Sequence, residues 1–316
     1  MNSLVSIIMP AYNCEEYICE AIDSILSQSY QNIELLIADD ASSDGTKSII
    51  EGYSDSRIKM FHNDGNMGYL QTCNKLFEKC NGEYITFQDA DDWSAKDRIA
   101  SQVEAITQSS LGICGTFLEF VNPDGSPATA SKILPVSDQD IREKMRSTNP
   151  FCGASIMITK DAYEKVGGYD PFFSRIGNED YYWASRIVDK YTALNIDRPL
   201  YFVRANPNSV TRTIKNVRQL LSVEIVHFLI ENGDKIEHSK NSIDPKDPLL
   251  KGFIEQLEKP FIQDASLIYR KEADMRAYYG DFVGSFQSAR KAFMARPWYL
   301  INLKYLLTTA TRIINK

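Results

Sequence analysis

The sequence predicts an α/β fold: a mixed, mostly parallel sheet flanked by helices, with a helical appendage at the carboxyl end. Three observations carry that expectation. Over the first two-thirds, short β-type apolar runs alternate with segments of helical period. Polar and acidic residues follow strand after strand, where open α/β sheets collect their ligands. Beyond about Arg212 the strand signal stops, which divides the chain into residues 1–212 and a helical region, 213–316.

The elements follow in order. Val5 to Met9 reads as a buried strand, and Cys14 to Ser27 as a helix with Ile18, Ala21, Ile22 and Ile25 on one face. Glu34 to Ala38, Ile58 to Phe61 and Tyr84 to Phe87 are further strands, with a helix from Leu70 to Lys79 between the last two. Pro10, Ala11, Tyr12 and Asn13 follow the first strand, Asp39 and Asp40 end the second, and Asp89, Ala90, Asp91 and Asp92 follow the fourth. Five carboxylates therefore fall on one rim. In the carboxyl region Val217 to Glu231 reads as a helix, followed by a polar break containing Pro245 and Pro248. Gly280 and Asp281 mark a tight turn between two helices, and Pro297 the start of a last one.

Composition excludes several classes. A chain of 316 residues with a net charge of -7 can bury one sizeable core but lacks the basic excess of a nucleic-acid binder. Six scattered cysteines (Cys14, Cys19, Cys73, Cys80, Cys114, Cys152) fit neither a zinc site nor a disulfide framework, and a reducing compartment is the simpler expectation. Met1, Asn2 and Ser3 lead straight into a strand without a secretory leader, and no run approaches the roughly 20 apolar residues of a membrane span. A cytoplasmic protein is expected. Neither GxxxxGK nor GxGxxG follows a strand, so a P-loop or dinucleotide fold is excluded.

Three acidic clusters are candidates for chemistry, each with a structural alternative. Asp89, Asp91 and Asp92 offer hard oxygen ligands for a divalent cation bound to a diphosphate, or else form a solvated turn with an acidic helix start. Asp39 and Asp40 either accept a hydrogen bond from a nucleobase N–H or close a turn with Ser42, Ser43, Asp44 and Gly45. Glu179 and Asp180, ahead of Trp183 and Arg186, supply a general base beside an aromatic wall, or cap a helix whose Trp183 lies in the core.

The order of these clusters resembles the family 2 glycosyltransferases, whose catalytic domain is the Rossmann-like glycosyltransferase-A type. The resemblance rests on VSIIMPAYN (Val5 to Asn13), IADDASSDGT (Ile37 to Thr46), FQDADDW (Phe87 to Trp93), GGYD (Gly167 to Asp170) and NEDYYWASR (Asn178 to Arg186). It implies an inverting transferase that moves a sugar from a nucleotide diphosphate donor, a UDP-sugar by family habit, to a hydroxyl of a glycan or lipid-linked acceptor in cell-surface polysaccharide biosynthesis. It implies that Pro10, Ala11 and Tyr12 line the nucleoside, that Asp40 addresses the base with Asp39 nearby, and that Asp89 meets the ribose or the metal shell. Asp91 would coordinate Mn2+ or Mg2+, with Asp92 a helper, and Asp180 would be the general base with Glu179 beside it. Trp183 would pack on the sugar and Arg186 orient the carboxylates, unless both are structural. Asn206 stands where many relatives carry a metal-side histidine, and Arg204 and Arg212 are either diphosphate contacts or surface charges. Gly153, Gly167 and Gly168 either permit a close backbone approach or only serve turns.

The tail adds a partner. Arg290, Lys291, Arg296, Lys304, Arg312 and Lys316 are interleaved with Phe293, Trp298, Tyr299, Leu303, Leu306 and Leu307, and no acid falls between Phe282 and Lys316. Such helices either lie on an anionic membrane surface, peripheral to the inner leaflet, or pack on the protein. Two rival functions stand beside sugar transfer: a catalytically degenerate partner that only binds a nucleotide sugar, and a sugar nucleotidyltransferase.

Overall fold

The computed structural model describes residues 3–128, 133–204, 214, 216–239, 242–278 and 280–314. The chain forms two compact units: Met1–Asn206 with Val226–Asp234 and His238–Ile243, and Pro207–Ile225 with Lys235–Glu237 and Asp244–Lys316.

The first unit is built on an eight-stranded sheet of β1 (Val5–Ala11), β2 (Ile33–Asp39), β3 (Ile58–His62), β4 (Tyr84–Phe87), β5 (Trp93–Ser94), β6 (Ile113–Val121), β7 (Met157–Thr159) and β8 (Ala193–Arg204). The spatial order is β3-β2-β1-β4-β7-β6-β8-β5. The first four strands in that order are mutually parallel, whereas β7 is antiparallel to both neighbours and β5 to β8. Parallel neighbours need crossovers, supplied by α1 (Ile18–Leu26), α2 (Thr46–Glu51) and α3 (Tyr69–Phe77). The unit is completed by α4 (Arg98–Ser109), α5 (Asp138–Lys144), α6 (Lys160–Val166) and α7 (Glu179–Lys190).

Helices on both faces leave β1 and β2 almost continuously buried. Val5, Ile7 and Met9 of β1 and Ile33, Leu35 and Ile37 of β2 share one core with Ile18, Ile22 and Ile25 of α1 and Ile99, Val103 and Ile106 of α4. The alternate residues Ile8 and Leu36 point to the other face, against which α3 packs. Register then fixes the functional rim: Ala11 stands opposite Asp39, Asp39 opposite His62, and Ile8 opposite Phe87. The residues just past β1, β2 and β4 emerge side by side.

Several elements differ from the sequence expectation. The first helix begins at Ile18, because the Cys14 and Glu15 amides bind Thr46 Oγ1 at 2.8 Å and Asp44 Oδ2 at 3.1 Å. Strands β5 to β8 carry weak patterning: β6 contains Gly115, β8 contains Pro199, and their pairing slips at Thr116 and Phe117. A short antiparallel pair, β9 (His238–Ser239) and β10 (Ser242–Ile243), lies in the expected polar break, where no strand was read. The segment expected as a helix from Val217 to Glu231 is broken at Leu221 into α8 (Val217–Leu220) and α9 (Ser222–Asn232).

The second unit contains α10 (Pro248–Gln263), α11 (Leu267–Tyr278), α12 (Phe282–Ala295) and α13 (Leu300–Ile314). The turn at Gly280 has φ +78°, and Asp281 caps α12 by accepting the Gly284 amide at 2.8 Å. Gly284, Ser285, Ser288, Ala289 and Ala292 are buried along α12, so small side chains allow α11 to pack closely on it. The last helix starts three residues beyond Pro297 and is turned inside out. Its polar Asn302 and Thr309 are buried, with Asn302 bonded to Ser266, Arg270 and the Ala292 carbonyl. Leu300, Leu303 and Leu307 form an outward stripe, 80%, 40% and 60% exposed, below Trp298 at 96%. No helix among the described residues is long and apolar enough to cross a membrane.

Candidate active site

The loops after β1 and β2 are knitted together. Asn13, with φ +48°, donates its amide to Ser42 Oγ at 3.0 Å, and its Oδ1 accepts the Ser43 amide at 2.8 Å. Pro10 is half-buried, Ala11 is buried with its carbonyl accepting the Asp40 amide at 2.8 Å, and Tyr12 is 51% exposed. Of these three, only Tyr12 offers a broad ring to a ligand. The two aspartates divide their tasks. Asp40 is buried and accepts from Asn63 Nδ2 at 2.8 Å, Met67 N at 2.9 Å and Gly68 N at 2.8 Å, so it anchors the loop that leads into α3. Asp39 takes one long bond from the Ser42 amide at 3.3 Å and lies 3.9 Å from His62 Nδ1. Both carboxylates are buried, and Asp40, expected at the base, meets more protein donors than Asp39 beside it.

The end of β4 is set from below. Arg98 is wholly buried and donates to Thr86 Oγ1 at 3.2 Å and the Phe87 carbonyl at 2.9 Å; burial brings its pKa down to about 10. Tyr201 Oη accepts the Asp89 amide at 3.0 Å. Asp89 Oδ1 in turn accepts the Tyr69 hydroxyl at 3.1 Å. Burial first, and then the charges of Asp91 and Asp180, push the Asp89 carboxyl up to about 7 against that bond. Asp92 points inward: its Oδ1 accepts the Arg204 amide at 2.8 Å, and burial raises its pKa strongly. It belongs to the frame and not to the donor surface.

Arg204 is also structural. Its guanidinium reaches the Asp91 carbonyl at 3.0 Å, the Pro123 carbonyl and the Glu20 carboxylate, and it is sandwiched at 4.6 Å and 4.7 Å from the rings of Tyr17 and Trp93. It clamps the acidic loop to β8. Asn206 and Arg212 lie outside the described residues.

The second pair of acids begins α7. Arg175, Gly177 and Asn178 all have positive φ, and this tight approach delivers Glu179 and Asp180 in the first helical turn. Asp180 Oδ2 accepts Asn149 Nδ2 at 2.9 Å. A Cβ on Gly153 would collide with the same carboxylate, so this glycine serves a close approach, whereas Gly167, with φ +81°, serves a turn. Burial, then the charges of Asp180 and Asp89, push Glu179 up to about 7. Residues some ninety positions apart thus share one acidic environment. Tyr69, Asn149 and Tyr201 belong to it, through contacts with these acids that no local sequence pattern encodes.

Trp183 and Arg186, expected at the donor, are corrected to structural roles. Trp183 is buried among Phe77, Phe87 and Tyr169, with ring centroids 5.2–5.7 Å away, and donates Nε1 to the Gly167 carbonyl at 2.7 Å. Arg186 Nη2 bonds the Val166 carbonyl at 2.7 Å. Among the described residues no three His, Cys, Asp or Glu side chains gather into a cation cage. Two hard carboxylates, Asp89 and Asp91, fit an Mg2+-type ion that takes its remaining ligands from phosphate and water.

The raised carboxyls set a sign for stability. Folded pKa values above the unfolded ones mean that stability is full below about pH 4 and declines as pH rises through about 7. Asp55 and Asp264, held down at about 2, act only below that window. We expect the cation-free protein to lose on the order of 1 kcal/mol per raised carboxyl between pH 5 and pH 8. Thermal melts should show this fall, and Glu179→Gln should flatten it; a curve that is flat or rising in the wild type contradicts the assignment.

Comparison with known proteins gives the site its context. The family described as Glycosyl transferase family 2 matches residues 6–167, just over half of the chain. The chain is 34% identical over 220 residues to the putative glycosyltransferase EpsE of Bacillus subtilis (strain 168), covering 67% of this chain and 77% of that one. It is 28% identical over 247 residues to the putative teichuronic acid biosynthesis glycosyltransferase TuaG of the same organism, covering 76% and 96%. It is also 37% identical over 119 residues to the Escherichia coli UDP-Glc:alpha-D-GlcNAc-diphosphoundecaprenol beta-1,3-glucosyltransferase WfgD, covering 38% and 47%. The fold matches that of S. aureus TarS 1–349 in complex with UDP-GlcNAc, with a TM-score of 0.62 at 14% identity over 98% of this chain and 91% of that one. It also matches the mannosyltransferase PcManGT from Pyrobaculum calidifontis in complex with GDP-Man and Mn2+, with a TM-score of 0.54 at 18% identity over 98% and 86%. With the acidic rim at the carboxyl ends of its parallel strands, the chain belongs to glycosyl transferase family 2 and is a glycosyltransferase.

Proposed function

We propose that this enzyme transfers a sugar from a UDP-sugar to a hydroxyl of a lipid-linked or glycan acceptor, with inversion and with a divalent cation. The observation that carries the reading is the shared field of the two acidic groups, Asp89 with Asp91 at the end of β4 and Glu179 with Asp180 at the start of α7. Support for the donor comes from TarS, described with UDP-GlcNAc, and WfgD, named for UDP-Glc; WfgD is also named for a diphosphoundecaprenol acceptor. In this assignment Tyr12 covers the base, with Pro10 and Ala11 forming the backbone floor, and Asp39 accepts the base N–H. Asp89 and Asp91 hold the cation, which when bound offsets the charge that develops on the departing diphosphate. Tyr69 keeps Asp89 oriented. Asp180 takes the proton of the acceptor hydroxyl as that oxygen bonds to the anomeric carbon, and the bond to the diphosphate oxygen breaks on the opposite face. Glu179, with its pKa near 7, tunes the local charge beside it.

Calorimetry of UDP, TDP and GDP, each with Mn2+ and with a chelator, tests the donor side. Selective, cation-dependent UDP binding is expected; no binding to any of them favours a degenerate partner protein. Asp180→Asn should keep UDP affinity and slow UDP release from UDP-sugars by about 10²-fold or more. Wild-type rates in that variant would remove Asp180 from the mechanism.

The same proposal places the enzyme at the inner face of a membrane. Support comes from α13, whose outward Leu300, Leu303 and Leu307 stripe is accompanied by the exposed cations Lys291, Arg296, Lys304 and Arg312. The full chain should bind phosphatidylglycerol vesicles, and more weakly at high salt, whereas Leu303→Glu/Leu307→Glu should release it. Equal, negligible binding of both proteins contradicts membrane attachment.

A further inference from the structure

Buried side chains hold the segment 149–155 in place. Asn195 Nδ2 holds the Pro150 carbonyl at 3.0 Å and the Pro135 carbonyl at 2.8 Å. Gln102 Nε2 holds the Ser155 carbonyl at 2.7 Å, and Ser155 Oγ accepts the Thr116 amide at 3.2 Å. Asn195, Gln102 and Ser155 are all fully buried. The free end of the segment is Asn149, which carries two bonds of opposite sense. Its Oδ1 accepts the Phe151 amide at 3.1 Å, and its Nδ2 donates to Asp180 Oδ2 at 2.9 Å. A backbone N–H can only donate, so Oδ1 must face Phe151, and the amide NH2 is thereby directed at the carboxylate. From the other end of the segment, the bare backbone of Gly153 lies against the same carboxylate, where a Cβ would not fit.

We infer that Asn149 is a positioning residue for Asp180: its amide N–H holds the carboxylate in the orientation from which it removes the acceptor proton. This rests on Asp180 acting as the general base. The proton passes from the acceptor hydroxyl to an Asp180 oxygen, the acceptor oxygen bonds to the anomeric carbon, and the electron pair of the broken bond leaves on the diphosphate; no further reactant is needed. A charge-assisted bond to a side chain that is itself fixed restricts a carboxylate without neutralising it. Losing such an orienting partner costs about 10–100-fold where it has been measured for metal ligands, and a similar scale is expected here.

The decisive variant is Asn149→Asp. It keeps the shape and the acceptor for Phe151 but replaces the donor facing Asp180 with a second carboxyl, so the bond to Phe151 is retained while Asp180 meets a like charge. On the full-length protein we expect UDP affinity with Mn2+ within about twofold of wild type, and UDP release from UDP-glucose slowed about tenfold or more. Asn149→Ala should behave likewise, its crystal structure should show the Asp180 carboxylate rotated from its wild-type position, and Asn149→Ala/Asp180→Asn should be no slower than Asp180→Asn alone. A wild-type rate in Asn149→Asp while Asp180→Asn is slow overturns the positioning role only. An unmoved Asp180 in the Asn149→Ala crystal overturns it as well. A wild-type rate in Asp180→Asn overturns the base assignment, and the role of Asn149 falls with it.

Discussion

Ala11, Asp39 and His62 stand in one row across three hydrogen-bonded parallel strands, and β4, whose last pair with β1 is Phe87 opposite Ile8, leaves the sheet at the same edge. That register determines what the rim can do. Both faces of β1 and β2 are buried, and a specific pair pins their register: Ser6 Oγ donates to Glu34 Oε1, its partner across the ladder, at 2.5 Å. The polar residues after each strand are then carried to a common edge. The site is a consequence of core packing before it is a consequence of its own chemistry.

Burying carboxylates, and then crowding them, has a physical cost, visible in the raised pKa values of Asp89 and Glu179. Two features keep the arrangement in place. Asp92 and Asp40 are bound by protein donors, the Arg204 amide for one and Asn63, Met67 and Gly68 for the other. Those two carboxylates hold loops, Asp39 is buried beside Asp40 with fewer protein donors, and Asp89 and Asp91 are only half-buried. The unfavourable field that remains is one that a divalent cation would relieve, because a bound cation favours the ionised carboxylates.

How much of this was legible in the sequence follows from the range of each signal. Strands β1 and β2 were legible because burial on both faces leaves near-continuous apolar runs, as in Val5–Ala11 and Ile33–Asp39, whereas β3 is a partly exposed edge strand read from a short apolar run. Strands β6 and β8 were not, since Gly115, Pro199 and a pairing slip dilute their patterns, and their pairing joins residues some eighty positions apart. The acidic clusters were legible as types and positions, yet their division of labour was not. Whether Asp39 or Asp40 faces a ligand depends on where the amides of Met67 and Gly68 arrive, which no local pattern encodes. Trp183 illustrates the opposite error: its helical spacing from Asp180 suggested a substrate wall, but the aromatic cluster of Phe77, Phe87 and Tyr169 encloses it. The pairing of Asn149 with Asp180 was not legible in the sequence because the two lie 31 residues apart.

The central claim is that the rim between β4 and the start of α7 is where a cation-bound nucleotide sits. Anomalous diffraction from a crystal grown with UDP and Mn2+ tests it directly. The account predicts a manganese peak within about 2.5 Å of carboxylate oxygens of Asp89 or Asp91, a typical length for hard-cation–oxygen ligation. A peak elsewhere, or an ordered UDP with no manganese beside these two residues, would contradict it.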